Sequence, residues 1–195
     1  MEAIEAILTR RSTRNYKPDA VEPEKLDTIL AAARQAPSGG NNQTNHFLVI
    51  RNKEVLQTLI ELTQTAFAAM EATEDTYSSL KRAIAAAKKG GYVFCYNAPL
   101  LIVVANQKDY GNNMADCACA IENMMVAANA LDLGNCWINQ LRWLNEDARL
   151  VAYLRSLGMK ESERVYGAVI IGYPANGLPN RNRMPQKGNE ITLID

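Results

Sequence analysis

The sequence predicts an α+β fold, a mixed central sheet wrapped by helices, and three observations predict it. Residues 99–105 and 165–173 are short continuous apolar runs, the make-up of strands buried on both faces. Between them, residues 114–133 read as one helix that is apolar nearly all round, with Asp116 and Asn123 on a narrow polar stripe. At 1.5 Å per residue it would span about 30 Å, the width of a small domain, so it belongs in a large core or a subunit interface. Amphipathic helices fill much of the remainder, and the expected strands are residues 46–51, 100–105, 136–140 and 165–173.

Ile4, Ile7 and Leu8 stand at helical spacing, so the chain should open with a helix over 2–9. Behind it comes Arg10-Arg11-Ser12-Thr13-Arg14-Asn15-Tyr16. Three arginines in five residues form a dense set of fixed donors, and the planar guanidinium matches phosphate or carboxylate oxygens. The cluster follows a helix carboxyl end, where the macrodipole repels anions, so side chains would have to do the holding. On spacing alone it also suits a solvated cap.

Pro23 and Glu24 suit the first turn of a second helix with Leu26, Ile29, Leu30 and Ala33 inward, and Pro37 stops it. The loop Ser38-Gly39-Gly40-Asn41-Asn42-Gln43 follows. Its glycines admit a flat ligand close to the backbone, while Ser38, Asn41 and Gln43 offer neutral donors and acceptors. A plain polar helix-to-strand loop fits the same spacing.

After strand 46–51, Asn52 caps a helix carrying Val55, Leu56, Leu59, Ile60 and Leu62. Residues 66–72 and 80–89 are helix-prone, broken at 73–76, and Gly90-Gly91 ends the run. Tyr92, Phe94 and Tyr96 alternate, a pattern read as core before pocket lining. Gly134 is expected in the left-handed cap of the long helix, and the exposed amides of that turn could face a planar ligand. Residues 145–147 start another helix, closed by Gly158. From Pro174 the chain turns rich in Asn, Gly, Pro and Arg, with Arg181 and Arg183 a second phosphate-capable pair. Residues 191–194 read as a terminal strand rather than a frayed tail.

The totals narrow the function. A chain of 195 residues can bury a real core, and 48% hydrophobic with 22% charged is ordinary globular composition. Zero formal net charge recruits neither nucleic acid nor anionic lipid. Asp116, Glu122, Asn123 and Asn129 interrupt the longest apolar segment, which argues against a membrane span. Glu2 and Glu5 occupy the place of a signal peptide's positive region, so a cytoplasmic location is expected. Cys95, Cys117, Cys119 and Cys136 form no C-x-x-C pair and read as free thiols, with no metal site. His46 is the one histidine and reads as structural, so no triad or histidine metal site is on offer and an imported cofactor would carry the chemistry. There is no G-x-G-x-x-G fingerprint and no Walker loop.

Four stretches taken together resemble the FMN-dependent nitroreductase family, in the same order. They are Arg10 to Tyr16, then Ala36-Pro37-Ser38-Gly39-Gly40-Asn41-Asn42-Gln43, then Gly134-Asn135-Cys136-Trp137, then Arg181-Asn182-Arg183. The family pattern at the second reads P-S-x-x-N-x-Q-P-W, and this chain departs from it with Thr44 and Asn45. The resemblance spans nearly the whole chain, residues 1–195, as a single domain with a C-terminal arm over 174–195. It implies a largely antiparallel sheet whose C-terminal strand is exchanged in a homodimer, and a segment near 66–96 that covers the flavin as a lid. It implies FMN as cofactor, with Arg10, Arg11, Ser12, Arg14, Arg181 and Arg183 at its phosphate side. Pro37, Ser38, Gly39, Asn41, Gln43, Gly134 and Asn135 would lie by the ring, Ser38 to Asn41 coming from the other subunit. The activity implied is hydride transfer from NAD(P)H through FMN to a nitroaromatic or quinone, reductant and acceptor using one place in turn. A non-enzymatic FMN store using the same arginines is the alternative.

Overall fold

The core of the molecule lies on both faces of one four-stranded sheet, in a computed structural model that describes residues 1–185 and 187–194. The strands are β1 (His46–Ile50), β2 (Leu100–Gln107), β3 (Gly134–Ile138) and β4 (Glu163–Gly172), in the order β1-β2-β4-β3. Every pairing is antiparallel, and a single parallel bridge joins Ser12 to Asn135 beyond the edge of β3. The expected sheet is thus present.

The alternation of side chains along the strands divides the core. Leu101, Val103 and Ala105 of β2 join Ala168 and Ile170 of β4 on one face. That face is covered by α3 (Lys53–Ala69), α4 (Ser78–Lys89), the short α6 (Gln140–Trp143) and α7 (Ala148–Ser156). Leu100, Ile102, Val104, Val169 and Ile171 point the other way, under α2 (Pro23–Arg34) and α5 (Asn113–Ala130). Burial of side chains such as Phe67, Phe94 and Ile29, each below 2% exposed, contributes about 1.5–3 kcal/mol apiece. The first helix, α1 (Ala3–Thr9), rests on α5, where Asn129 donates to the Ala6 carbonyl at 2.9 Å.

Local chemistry sets most boundaries. Pro23 begins α2, Asn52 accepts from the amides of Glu54 and Val55 to cap α3, and Asp147 caps α7 through the Leu150 amide. His46 sits at the head of β1 with Nδ1 2.8 Å from the buried Glu163 carboxylate, the structural role expected of it.

Three expectations are corrected. Gly134 does not cap α5; Asp132 takes the left-handed conformation (φ 65°), and Gly134 opens β3 two residues earlier than expected. Of the aromatics read as core before pocket lining only Phe94 is fully buried; residues 94–97 form a turn, and Tyr92 and Tyr96 line a cavity. The helix α6 interrupts what reads as the end of a strand, because Gln140 and Leu141 continue into a single turn closed against β4. Residues 191–194, expected to pair with a partner's sheet, pair with no strand of their own chain among the described residues, and Ile191, Leu193 and Ile194 are 83–92% exposed. Asp195, in the expected C-terminal arm, lies outside the described residues, as does Gln186.

The long helix is only half-buried. Cys117, Ile121, Met124 and Ala128 face the sheet, whereas Ala115, Cys119 and Glu122 are open. Among the described residues no helix is long and apolar enough to cross a membrane.

Candidate functional site

The arginine stretch is held by the edge of the sheet. Beyond α1 the chain runs beside β3, where the Thr13 amide donates to the Asn135 carbonyl at 2.8 Å and Ser12 bridges Asn135. Farther on, the Lys17 amide donates to the Tyr173 carbonyl, and Tyr16 bridges Pro174. Gly134 is required here by close approach: a Cβ on it would stand 2.7 Å from Thr13 Oγ1. Asn135 is buried and donates to the Met125 carbonyl. Gly134 and Asn135 therefore support the arginine stretch from beneath.

The two arginine clusters, from opposite ends of the chain, meet. Arg11 donates to the Asn182 carbonyl at 3.2 Å, across 171 residues of sequence. Arg183 pairs with Glu5 of α1 at 3.1 Å, and Arg181 pairs with Asp132 while also reaching the Asn129 carbonyl at the end of α5. Arg10 lies 3.7 Å from Glu122. Arg11 and Arg14 take part in no ion pair among the described residues. The Arg14 guanidinium stands 6.0 Å from the centre of the Tyr96 ring, within reach of a cation–π contact. The division of labour follows: Arg181 anchors the C-terminal arm to α5, while Arg11, Arg14 and the exposed Ser12 hydroxyl remain available to an anion.

Next to Arg14 opens a cavity of about 540 Å³, within the range of small-molecule sites. Cys136 to Gln140 contribute the end of β3 and the start of α6, and Ser79, Arg82, Ala83 and Ala86 contribute one side of α4. Tyr92, Tyr96, Trp137 and Trp143 supply aromatic surface. Gln140 Nε2 donates to the Tyr92 hydroxyl at 2.9 Å, and Trp137 Nε1 donates to Asn139. Burial raises the Tyr92 phenol above its usual range, so it stays a neutral donor. Among the described residues no cluster of His, Cys, Asp and Glu could hold a metal ion.

The loop after Pro37 is elsewhere. Its 3-10 turn, Gly39–Asn41, is clamped to the amino end of α5: the Gly39 amide donates to the Asp116 carboxylate at 3.1 Å. The Tyr110 hydroxyl, 3.0 Å from both, bridges Asp116 and the Gly39 carbonyl. Gly40, Asn41 and Gln43 hold φ of 51–59°, and the Gln43 amide donates to Ser38 Oγ. Asn45 is knitted to the same place, donating to the Asp116 carbonyl and accepting from Asn106. Asp116 and Asn129 are thirteen residues apart on α5, so about 20 Å of helix separates this loop from the arginine end. Within one chain, then, the sheet edge gathers Arg10, Arg11, Ser12, Arg14, Gly134, Asn135, Arg181 and Arg183, and leaves Pro37, Ser38, Gly39, Asn41 and Gln43 apart.

Sequence reasoning missed the cavity's walls and the clamp. Asp116 did signal itself, as an acid inside an apolar helix; Tyr110 did not.

A model of the nitroreductase family matches residues 7–173. The chain belongs to the nitroreductase family. Among solved structures, this nitroreductase is similar to one from Bacteroides fragilis with bound FMN, at 37% identity over the whole of both chains and a TM-score of 0.87. A second, from Desulfitobacterium hafniense and also with bound FMN, has 27% identity over both whole chains and a TM-score of 0.83. A relative from Archaeoglobus fulgidus, provisionally named NADH dehydrogenase/NAD(P)H nitroreductase, is 32% identical over 89% of this chain and 86% of its own. The α+β fold is that of these relatives, and the chain is a flavin oxidoreductase by family.

Proposed function

We propose that this nitroreductase binds FMN and transfers hydride from NAD(P)H to a nitroaromatic or quinone, both substrates using the cavity beside Arg14 in turn. The observation that carries the reading is the meeting of the arginine clusters at the sheet edge next to an aromatic-walled cavity. The donor set fits a terminal phosphate: Arg11 and Arg14 lack acidic partners among the described residues, and Ser12 is exposed between them. FMN, when bound, supplies the ring that accepts a hydride and passes two electrons on. The chain's own residues bind and orient. Arg10, Arg11, Ser12, Arg14 and Arg183 hold the phosphate side, Arg181 fixes the arm that carries Arg183, and the Tyr92 hydroxyl and the aromatic walls position the planar substrate.

The homodimer belongs to the same reading. The loop 38–43 is held some 20 Å from its own chain's arginines, so it would serve the site of a partner. The open side of α5 and the exposed apolar residues 191–194 offer the interface. Beside β1, whose outer edge is unpaired among the described residues, a hollow lined by Leu48, Val49, Ile50 and Val55 could receive the partner's terminal segment.

Anaerobic stopped-flow mixing of the FMN-loaded protein with NADH and with NADPH tests the proposal. Bleaching of the flavin band, then recovery on adding a quinone or nitroarene, is expected. A fully loaded protein that neither nucleotide bleaches would instead be an FMN store.

A further inference from the structure

The cavity beside Arg14 carries a second guanidinium that the cofactor reading does not use. Arg82 lies on the cavity side of α4, one turn after Ser79, and its Nη2 donates to Ser79 Oγ at 2.9 Å. That bond narrows the choices open to a long exposed side chain. Arg82 joins no ion pair among the described residues, although its neighbour Lys88 on the same helix pairs with Glu71. Among the described residues the cavity's lining contains Arg14 and Arg82 and no carboxylate. Its remaining polar surface is Ser79, Asn139, Gln140 and two tyrosine hydroxyls, and its apolar surface is dominated by aromatic rings.

We infer that Arg82 is the specificity-determining residue for the acceptor, and that the preferred acceptor is a planar aromatic bearing a carboxylate. The inference rests on the proposed oxidoreductase function. Arg14 stands at the Tyr96 and β3 side and is assigned to the cofactor, whereas Arg82 faces the space from α4. An aromatic body between the rings of Tyr92, Trp137 and Trp143 would set its anionic substituent against the α4 wall. There Arg82 offers a two-pronged donor that matches a carboxylate, with the Ser79 hydroxyl beside it. A neutral acceptor of the same size would leave that guanidinium to water.

The test compares 4-nitrobenzoate with its neutral isostere 4-nitrobenzamide on the FMN-loaded protein, with NADH and with NADPH. Wild-type kcat/KM should favour the benzoate by about tenfold or more. Arg82→Ala should bring that ratio close to one, mainly through KM, Arg82→Lys should restore part of it, and Arg82→Glu should invert it. Both tryptophans of the chain line the cavity, so quenching of their fluorescence by benzoate, against benzamide, reports binding without turnover. Equal losses for both acceptors would show a merely structural role and overturn the inference. So would an unchanged ratio, or an Arg82→Ala effect confined to KM for NADPH, which would give the guanidinium to the reductant's phosphate. Reduction of the flavin by NAD(P)H before any acceptor is added keeps failure of this inference distinct from failure of the oxidoreductase reading.

Discussion

Arg14 and Glu163 show how differently two charged residues are used. Arg14 is exposed, has no acidic partner among the described residues, and borders the cavity. Arg14→Ala should therefore weaken FMN binding by about 1.5–3 kcal/mol, the scale of a charge-assisted hydrogen bond, as read from flavin fluorescence during titration of the apoprotein. Glu163 is buried; burial alone would raise its pKa, but the His46 side chain, the Lys160 amide and the Lys160 charge more than offset this and hold it below the usual carboxylate range. A carboxyl whose pKa is lowered by folding stabilises the fold above its unfolded pKa, and that contribution is lost as pH falls through the folded value. Glu163→Gln should cost about 1.5–3 kcal/mol at pH 7 in chemical denaturation, and the gap to wild type should close as pH falls through the lowered folded value. The arginines were legible in the sequence because they are contiguous and their chemistry is local. Arg82 and Trp143 were not singled out, and Tyr92 read as core before pocket lining inside the expected lid, since the cavity they share exists only once α4, the 94–97 turn and α6 are brought onto one face of the sheet.

At the scale of elements, the close contacts are the informative ones. The bond network of Asp116, Tyr110 and Gly39 fixes a loop in which Gly40, Asn41 and Gln43 are left-handed, and for Asn41 and Gln43 strain of that kind needs outside support. Asp116→Ala leaves the Gly39 amide without its acceptor and the Tyr110 hydroxyl with only the Gly39 carbonyl, and should cost about 1–3 kcal/mol by denaturant unfolding. If the loop serves a partner's site, the same variant should also loosen FMN in the dimer. Gly134→Ala forces a methyl group onto Thr13 and should destabilise by about 1–3 kcal/mol, seen as a lower melting temperature, with Thr13→Gly in the same chain relieving part of it. Periodicity and caps placed α2, α3 and α7 well, because Pro23, Asn52 and Asp147 act on their own neighbours. The start of β3 was misplaced because the left-handed turn fell to Asp132, a residue tolerant of it, and not to the glycine two positions later.

Across the whole molecule, the open flank of α5 and the exposed 191–194 segment make the isolated chain look incomplete. Light scattering of the FMN-loaded protein should give twice the chain mass, and removing residues 190–195 should shift it toward monomer and weaken the flavin. A monomer that keeps its flavin would end the dimer reading. The exchanged arm is what the resemblance implies, and the truncation measures it directly. The contact between Arg11 and Asn182 carries a consequence for biosynthesis. Closing a loop of 171 residues in one step costs on the order of 5 kcal/mol in chain entropy, and the shorter closures of Asn129 onto Ala6 and of Arg181 onto Asn129 bring the two arginine clusters together in stages. During translation the first cluster emerges from the ribosome many seconds before the second, at about 5–20 residues per second. On the proposed assignment the nascent polypeptide carries half a phosphate grip until the second cluster has emerged, and prosthetic-group loading should follow that event.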